Sequence, residues 1–247
     1  MLSETQFPFL AEKGHVVSLV GGGGKSSLLL RLTKEWSVDR RVVAVTTTHI
    51  TRAQGEALGL LLLGGSPDAL HAALREHSAV CAALSAEGGK LSPPPPALLR
   101  AAPTLADWVL AEADGAHGFP VKAPACHEPV LLPGGYVVGV AGLSALGRPL
   151  SEVCHRPSLA AALLGVPPGA ALTPSLLAGL LTSEHGQRKG VEDPARFRVL
   201  LNQADMVPRH LACAAAAEIE RLLPGCRVVI ASLREEDCIK EVFDGCS

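Results

Sequence analysis

Four glycines followed by Lys-Ser-Ser, at Gly21, Gly22, Gly23, Gly24, Lys25, Ser26 and Ser27, are the residues of this chain best suited to chemistry on a phosphate. They follow the apolar run His15–Val20 and precede Leu28-Leu29-Leu30, so the pattern predicts a buried strand, a tight turn and a helix start. Glycines let a backbone approach an anion with no Cβ in the way. A helix N-terminus adds unpaired N–H groups and partial positive charge. In such a loop Lys25 would reach the terminal phosphates of a nucleotide, and the Ser26 hydroxyl would bind Mg²⁺. The usual G-x-x-x-x-G-K-[ST] spacing places its first glycine at position 19, which is Leu19. What remains is a compact G-x-x-G-K-S from Gly21 to Ser26, and the competing reading is a glycine-rich turn that only joins a strand to a helix.

Other polar groups close apolar runs. Glu112 and Asp114 end Trp108–Ala113, where carboxylates can hold Mg²⁺ and orient an attacking group. Residues two apart in a strand share a face, so both are expected at one site, with Asp114 as metal ligand and Glu112 as second ligand or base. Thr47 and Thr48 end a second strand, Arg41–Thr47, and their hydroxyls are candidate phosphate contacts, although threonine also simply favours strands. Asn202-Gln203-Ala204-Asp205 follows Phe197–Leu201 and is similar to the [NT]-K-x-D base-reading motif of GTPases, with Gln203 in the lysine position. Lys122, Arg148 and Arg156 lie in proline-flanked loops and are candidate anion contacts. Cys126-His127 and Cys154-His155 offer soft or borderline metal ligands, but neither has a standard zinc spacing.

These motifs must sit on a frame. Continuous apolar strands alternating with helices predict a three-layer, doubly wound α/β fold with a mostly parallel sheet, of the P-loop NTPase type. Ligands of such sheets lie beyond the C-terminal ends of the strands, where each polar motif falls. Residues 1–247 are expected to form one domain. A Pro/Gly-rich loop is expected at 84–103, a mobile loop at 182–194, and a closing helix from about Arg234. Residues 1–14 read as a lead-in, with Phe7 and Phe9 packing on the core.

Composition narrows the classes. The 22 basic and 24 acidic residues nearly cancel and aromatics are 3%, which argues against nucleic acid and anionic membranes as partners. Seven scattered cysteines without a C-x-x-C pair, and no signal-peptide pattern, lead us to expect reduced thiols in the cytoplasm.

The runs VSLVGGGGKSSLL, VTTTHI, AEADGAHGFPVKAPACHEPVL, VAGLSALGRPL with a following HRP, and LLNQAD span about 15–205. On them the chain resembles the selenium-dependent hydroxylase accessory proteins of the YqeC type. The resemblance implies a nucleoside triphosphatase that assists maturation of a molybdenum-containing hydroxylase, acting on its molybdenum cofactor or on the delivery of that cofactor. It also raises Lys122, His127 and Glu128 to candidate site residues. The expected function is thus Mg²⁺-dependent binding and hydrolysis of ATP or GTP. Two rivals are an ATP-dependent ligase or kinase, since GGGGKSS also resembles the G-x-x-G-K-[ST]-[ST] of Mur-type ligases, and a non-enzymatic nucleotide-gated scaffold.

Overall fold

The computed structural model describes residues 15–243. The proposed packing of Phe7 and Phe9 lies outside them. In chain order the elements are β1 (His15–Gly21), α1 (Lys25–Trp36), β2 (Val42–Thr46), β3 (Ile50–Thr51), α2 (Arg52–Ala57), β4 (Leu60–Leu63) and α3 (Pro67–Glu76). There follow β5 (Ala79–Ser85), β6 (Lys90–Ser92), α4 (Pro96–Leu105), β7 (Trp108–Glu112), β8 (Val121–Lys122), β9 (Tyr136–Gly142) and α5 (Leu150–Val153). The last are β10 (Cys154–His155), α6 (Pro157–Leu164), α7 (Pro174–Thr182), β11 (Phe197–Asn202), α8 (Arg209–Leu222), β12 (Arg227–Ala231) and β13 (Ile239–Phe243).

The main sheet has the order β13-β12-β11-β9-β1-β7-β2-β5-β6-β3, and β4 also pairs with β5. Its centre, from β12 through β5, is parallel. Side chains alternate across it, as the pleat requires. Val17 and Leu19 meet Leu28, Leu29 and Leu32 of α1 on one face. On the other, Val20 joins the layer packed by α7 and α8, and Val16 the layer packed by α3 and α4. Helices therefore cover both faces of a mostly parallel sheet, which explains why its strands read as unbroken apolar runs.

Two expectations fail at the edges. Among the described residues no helix follows Arg234; Ile239–Phe243 runs antiparallel to β12, with Val228 opposite Phe243 and Ala231 opposite Ile239. The open edge of β12 needs partners for its N–H and C=O groups, and Ile239 and Val242 pack on the face of α1 while Phe243 packs on the other. Nor is 84–103 a loop throughout. Lys90–Ser92 pairs antiparallel with β5 and β3, and a helix begins at Pro96. Proline at a first helical position loses no hydrogen bond, and Leu98 and Ala102, four apart, supply the buried face. The segment 182–194 is mostly turns, yet Gln187 is buried within it and its Nε2 donates to Lys122 O at 2.6 Å.

Leu28 is fully buried where α1 meets the sheet. Leu28→Ala is expected to cost about 2–5 kcal/mol in a urea unfolding curve with the slope unchanged.

Candidate active site: a glycine loop, a buried charge chain and an open cleft

The glycine loop leaves the end of β1 in the middle of the sheet, and its shape is held by protein atoms. The N–H groups of Gly22 and Gly23 donate to Val140 O and Phe119 O, at 2.9 and 3.0 Å. A Cβ on Gly22 would lie 2.4 Å from Phe119 O, and one on Gly24, which has φ +142°, 2.3 Å from Asn202 Nδ2. The glycines are thus demanded by close approach of neighbouring chain. Further N–H groups for an anion come from α1, whose N-terminus has no side-chain cap and no acidic residue in its first turn.

That N-terminus opens on a cleft of about 470 Å³. Of the residues expected to act together, Gly22, Gly23, Gly24, Lys25, Ser26, Ser27, Glu112, Asn202 and Asp205 line it. Gly21 lies beneath, with its N–H 3.1 Å from both Asp114 oxygens. Ser26 Oγ donates to Glu112 Oε2 at 2.9 Å and accepts from Gln54 Nε2 at 3.1 Å. Burial pushes the Glu112 carboxyl above its usual range, against the opposing pull of the Lys25 charge and the Ser26 hydrogen bond. At the opposite end, Asn202 Nδ2 donates to Gly23 O and its Oδ1 accepts from Leu233 N. Asp205 Oδ1 accepts from Ser232 Oγ at 2.8 Å, and that hydroxyl also accepts from Asp205 N.

Asp114 does not share the cleft with Glu112. The strand ends at Glu112, so the two residues lose the common face expected of them. Asp114 turns under the loop, 1% exposed, between two ammonium groups. Lys25 Nζ is 3.1 Å from its Oδ1 and also donates to Gly21 O; Lys122 Nζ is 3.3 Å from its Oδ2. Lys122 continues to Glu128 Oε2 at 2.8 Å, which accepts from Arg156 Nη1 at 2.5 Å. Charges therefore alternate from the glycine loop to the start of α6: Lys25, Asp114, Lys122, Glu128, Arg156. Burial alone would push the Glu128 carboxyl up, but Lys122 and Arg156 hold it down to about 2.

The remaining candidates stand apart from the cleft. Lys122 is fully buried, so it contacts protein rather than a free anion. Arg148 pairs with Glu152 on the surface, and His127 is exposed beside Cys126. Thr47 Oγ1 donates to Val130 O, and Thr48 N donates to Thr46 Oγ1. Among the described residues no cluster of three or more His, Cys, Asp or Glu side chains is placed to hold a metal, and Cys126 and Cys154 are free thiols. Sequence reasoning missed Gln54 and Lys90 in the cleft wall. Gln54 carried a usable signal, since Thr51-x-x-Gln54 is a capping box that starts α2 and sets its position.

These features define a mostly parallel α/β protein with a glycine-loop cleft across the C-terminal ends of its strands. The chain belongs to the YqeC protein family, whose model matches residues 17–158. The uncharacterized protein YqeC of Escherichia coli (strain K12) is 35% identical over 204 residues, covering 80% of this chain and 79% of that protein. No solved structure is a significant match. Among the described residues no helix is long and apolar enough to cross a membrane.

The Glu128 pairs carry a pH signature. A carboxylate with a lowered pKa contributes stability that is complete above its unfolded value near 4.5 and lost as pH falls toward about 2. Wild type is expected to exceed Glu128→Gln in unfolding free energy at pH 6, with the gap closing between pH 4.5 and 2.

Proposed function

We propose that this protein is a Mg²⁺-dependent, P-loop-type nucleoside triphosphatase that serves maturation of a molybdenum-containing, selenium-dependent hydroxylase. The observation that carries the nucleotide reading is the uncapped N-terminus of α1, which faces the cleft between the Ser26–Glu112 pair and the Asn202–Asp205 segment. The first-turn N–H groups of α1 would receive the phosphates, with Lys25 leaving Asp114 to offset their charge. Asp205 would accept hydrogen bonds from a purine edge, guanine offering two donors that adenine lacks. The maturation role follows from the family resemblance, and the proposed partner is the client hydroxylase or its molybdenum cofactor.

The donor set fits Mg²⁺. A hydroxyl and a carboxylate 2.9 Å apart are hard oxygen ligands, and Mg²⁺ usually keeps several waters and binds phosphate oxygens for the rest. Ser26 and Glu112 would hold it, the carboxylate directly or through water. Asp114 is left out of this role, because its oxygens already serve Lys25, Lys122 and Gly21 N. Bound Mg²⁺ would offset charge on the phosphate oxygens during transfer. Gln54 keeps the Ser26 hydroxyl in place, and Asn202 ties the loop to the chain after β12.

Calorimetry with ATP, GTP and CTP, with and without Mg²⁺, is expected to show Mg²⁺-dependent binding of a purine triphosphate that Lys25→Ala abolishes. Unchanged phosphate release by that variant would refute the reading. Glu112→Gln is expected to retain nucleotide but release phosphate about 100-fold more slowly. Because burial raises the Glu112 pKa in the metal-free protein, protons should compete with Mg²⁺ there, and the Mg²⁺ affinity read by calorimetry is expected to fall as pH is lowered, beginning above 4.5, the ordinary value for this side chain. Phosphate release only when an acceptor is added would instead indicate the ligase or kinase class.

A further inference from the structure

Lys122 stands in a peculiar position for a residue with no access to the cleft. It is 0% exposed and touches three oxygens: Asp114 Oδ2 at 3.3 Å, Glu128 Oε2 at 2.8 Å and Gly115 O at 2.5 Å. Asp114 is itself almost wholly enclosed, and its partners are Lys122, Lys25 and the Gly21 N–H. One anion is therefore shared by two ammonium groups, of which only Lys25 borders the cleft.

For Lys25 to serve a ligand in the cleft it must leave Asp114. An enclosed carboxylate stripped of its only cation resists that departure strongly. We infer that Lys122 is a positioning residue: it holds the charge of Asp114, so that Lys25 is free to leave for a bound phosphate. The inference rests on the nucleotide reading above. It explains why Lys122 is anchored from behind. Glu128 and Gly115 O keep its ammonium in place, and Arg156 completes the charge of Glu128. It also explains why Asp114 needs two partners, since each of its oxygens faces a different lysine.

The experiment is a double-variant cycle read by Mg·ATP and Mg·GTP dissociation constants at pH 7.5. In Lys122→Met, Lys25 becomes the sole cation on Asp114, and affinity is expected to fall on the order of 10- to 100-fold. In Asp114→Asn no opposite charge holds Lys25 back and only its hydrogen bond to Gly21 O remains, so adding Lys122→Met to that variant is expected to change affinity by less than about twofold. A purely structural role would weaken binding equally in both backgrounds, and that result overturns the inference. So does wild-type affinity in Lys122→Met. If Lys122→Met alone does not melt cooperatively, the comparison of Asp114→Asn with the double variant still decides, and a gap above tenfold overturns the inference. Failure of wild type to bind either nucleotide would strike the nucleotide reading first, and is told apart by that control.

Discussion

The site is built on one buried carboxylate. Asp114 sits at the end of the central pair of strands, beneath the glycine loop, where a lone negative charge would be costly. The chain resolves this with a row of alternating charges rather than with one pair. Each member compensates its neighbours: Lys25 and Lys122 flank Asp114, Lys122 and Arg156 flank Glu128. The row links residues far apart in sequence and fixes where the loop, the 122–128 segment and the start of α6 lie relative to one another. Buried ions seldom add much net stability. Their value here is positional.

The sheet places that row at the right depth. β1 lies between β7 and β9, so the loop after β1 is flanked by the chain leaving Glu112 on one side and Gly142 on the other. On the far side of β9, β11 delivers Asn202, whose amide spans from Gly23 O to Leu233 N. One side chain therefore joins two loops to the end of β11. Gln203 beside it has φ +65° and accepts from Ser144 Oγ at 2.6 Å, so the position that usually carries lysine in the GTPase motif here supports a neighbouring turn.

What could be read from the sequence was local. The glycine loop and the central strands carry their signals within a few residues. The choice between Glu112 and Asp114 was not local. Strand parity predicts a shared face, but β7 stops after Glu112, and the partners that draw Asp114 under the loop are Gly21, 93 residues away, together with Lys25 and Lys122. Lys122 and Glu128 were recognisable as unusual, yet nothing in their spacing showed that they face each other and Asp114 rather than a ligand. The C-terminal strand was hidden for a similar reason, since a vacant edge on β12 is a property of the assembled sheet.

The amides of Gly22 and Gly23 are already committed to Val140 O and Phe119 O. That makes the loop a socket rather than a flap. Its backbone is tied to neighbouring chain, so under the proposed nucleotide reading an arriving phosphate would draw one ammonium group toward itself but need not organise the chain around itself. On that same reading, encounter would be governed by charge and access, and discrimination among phosphate ligands by the distance from the helix end to Asn202 and Asp205.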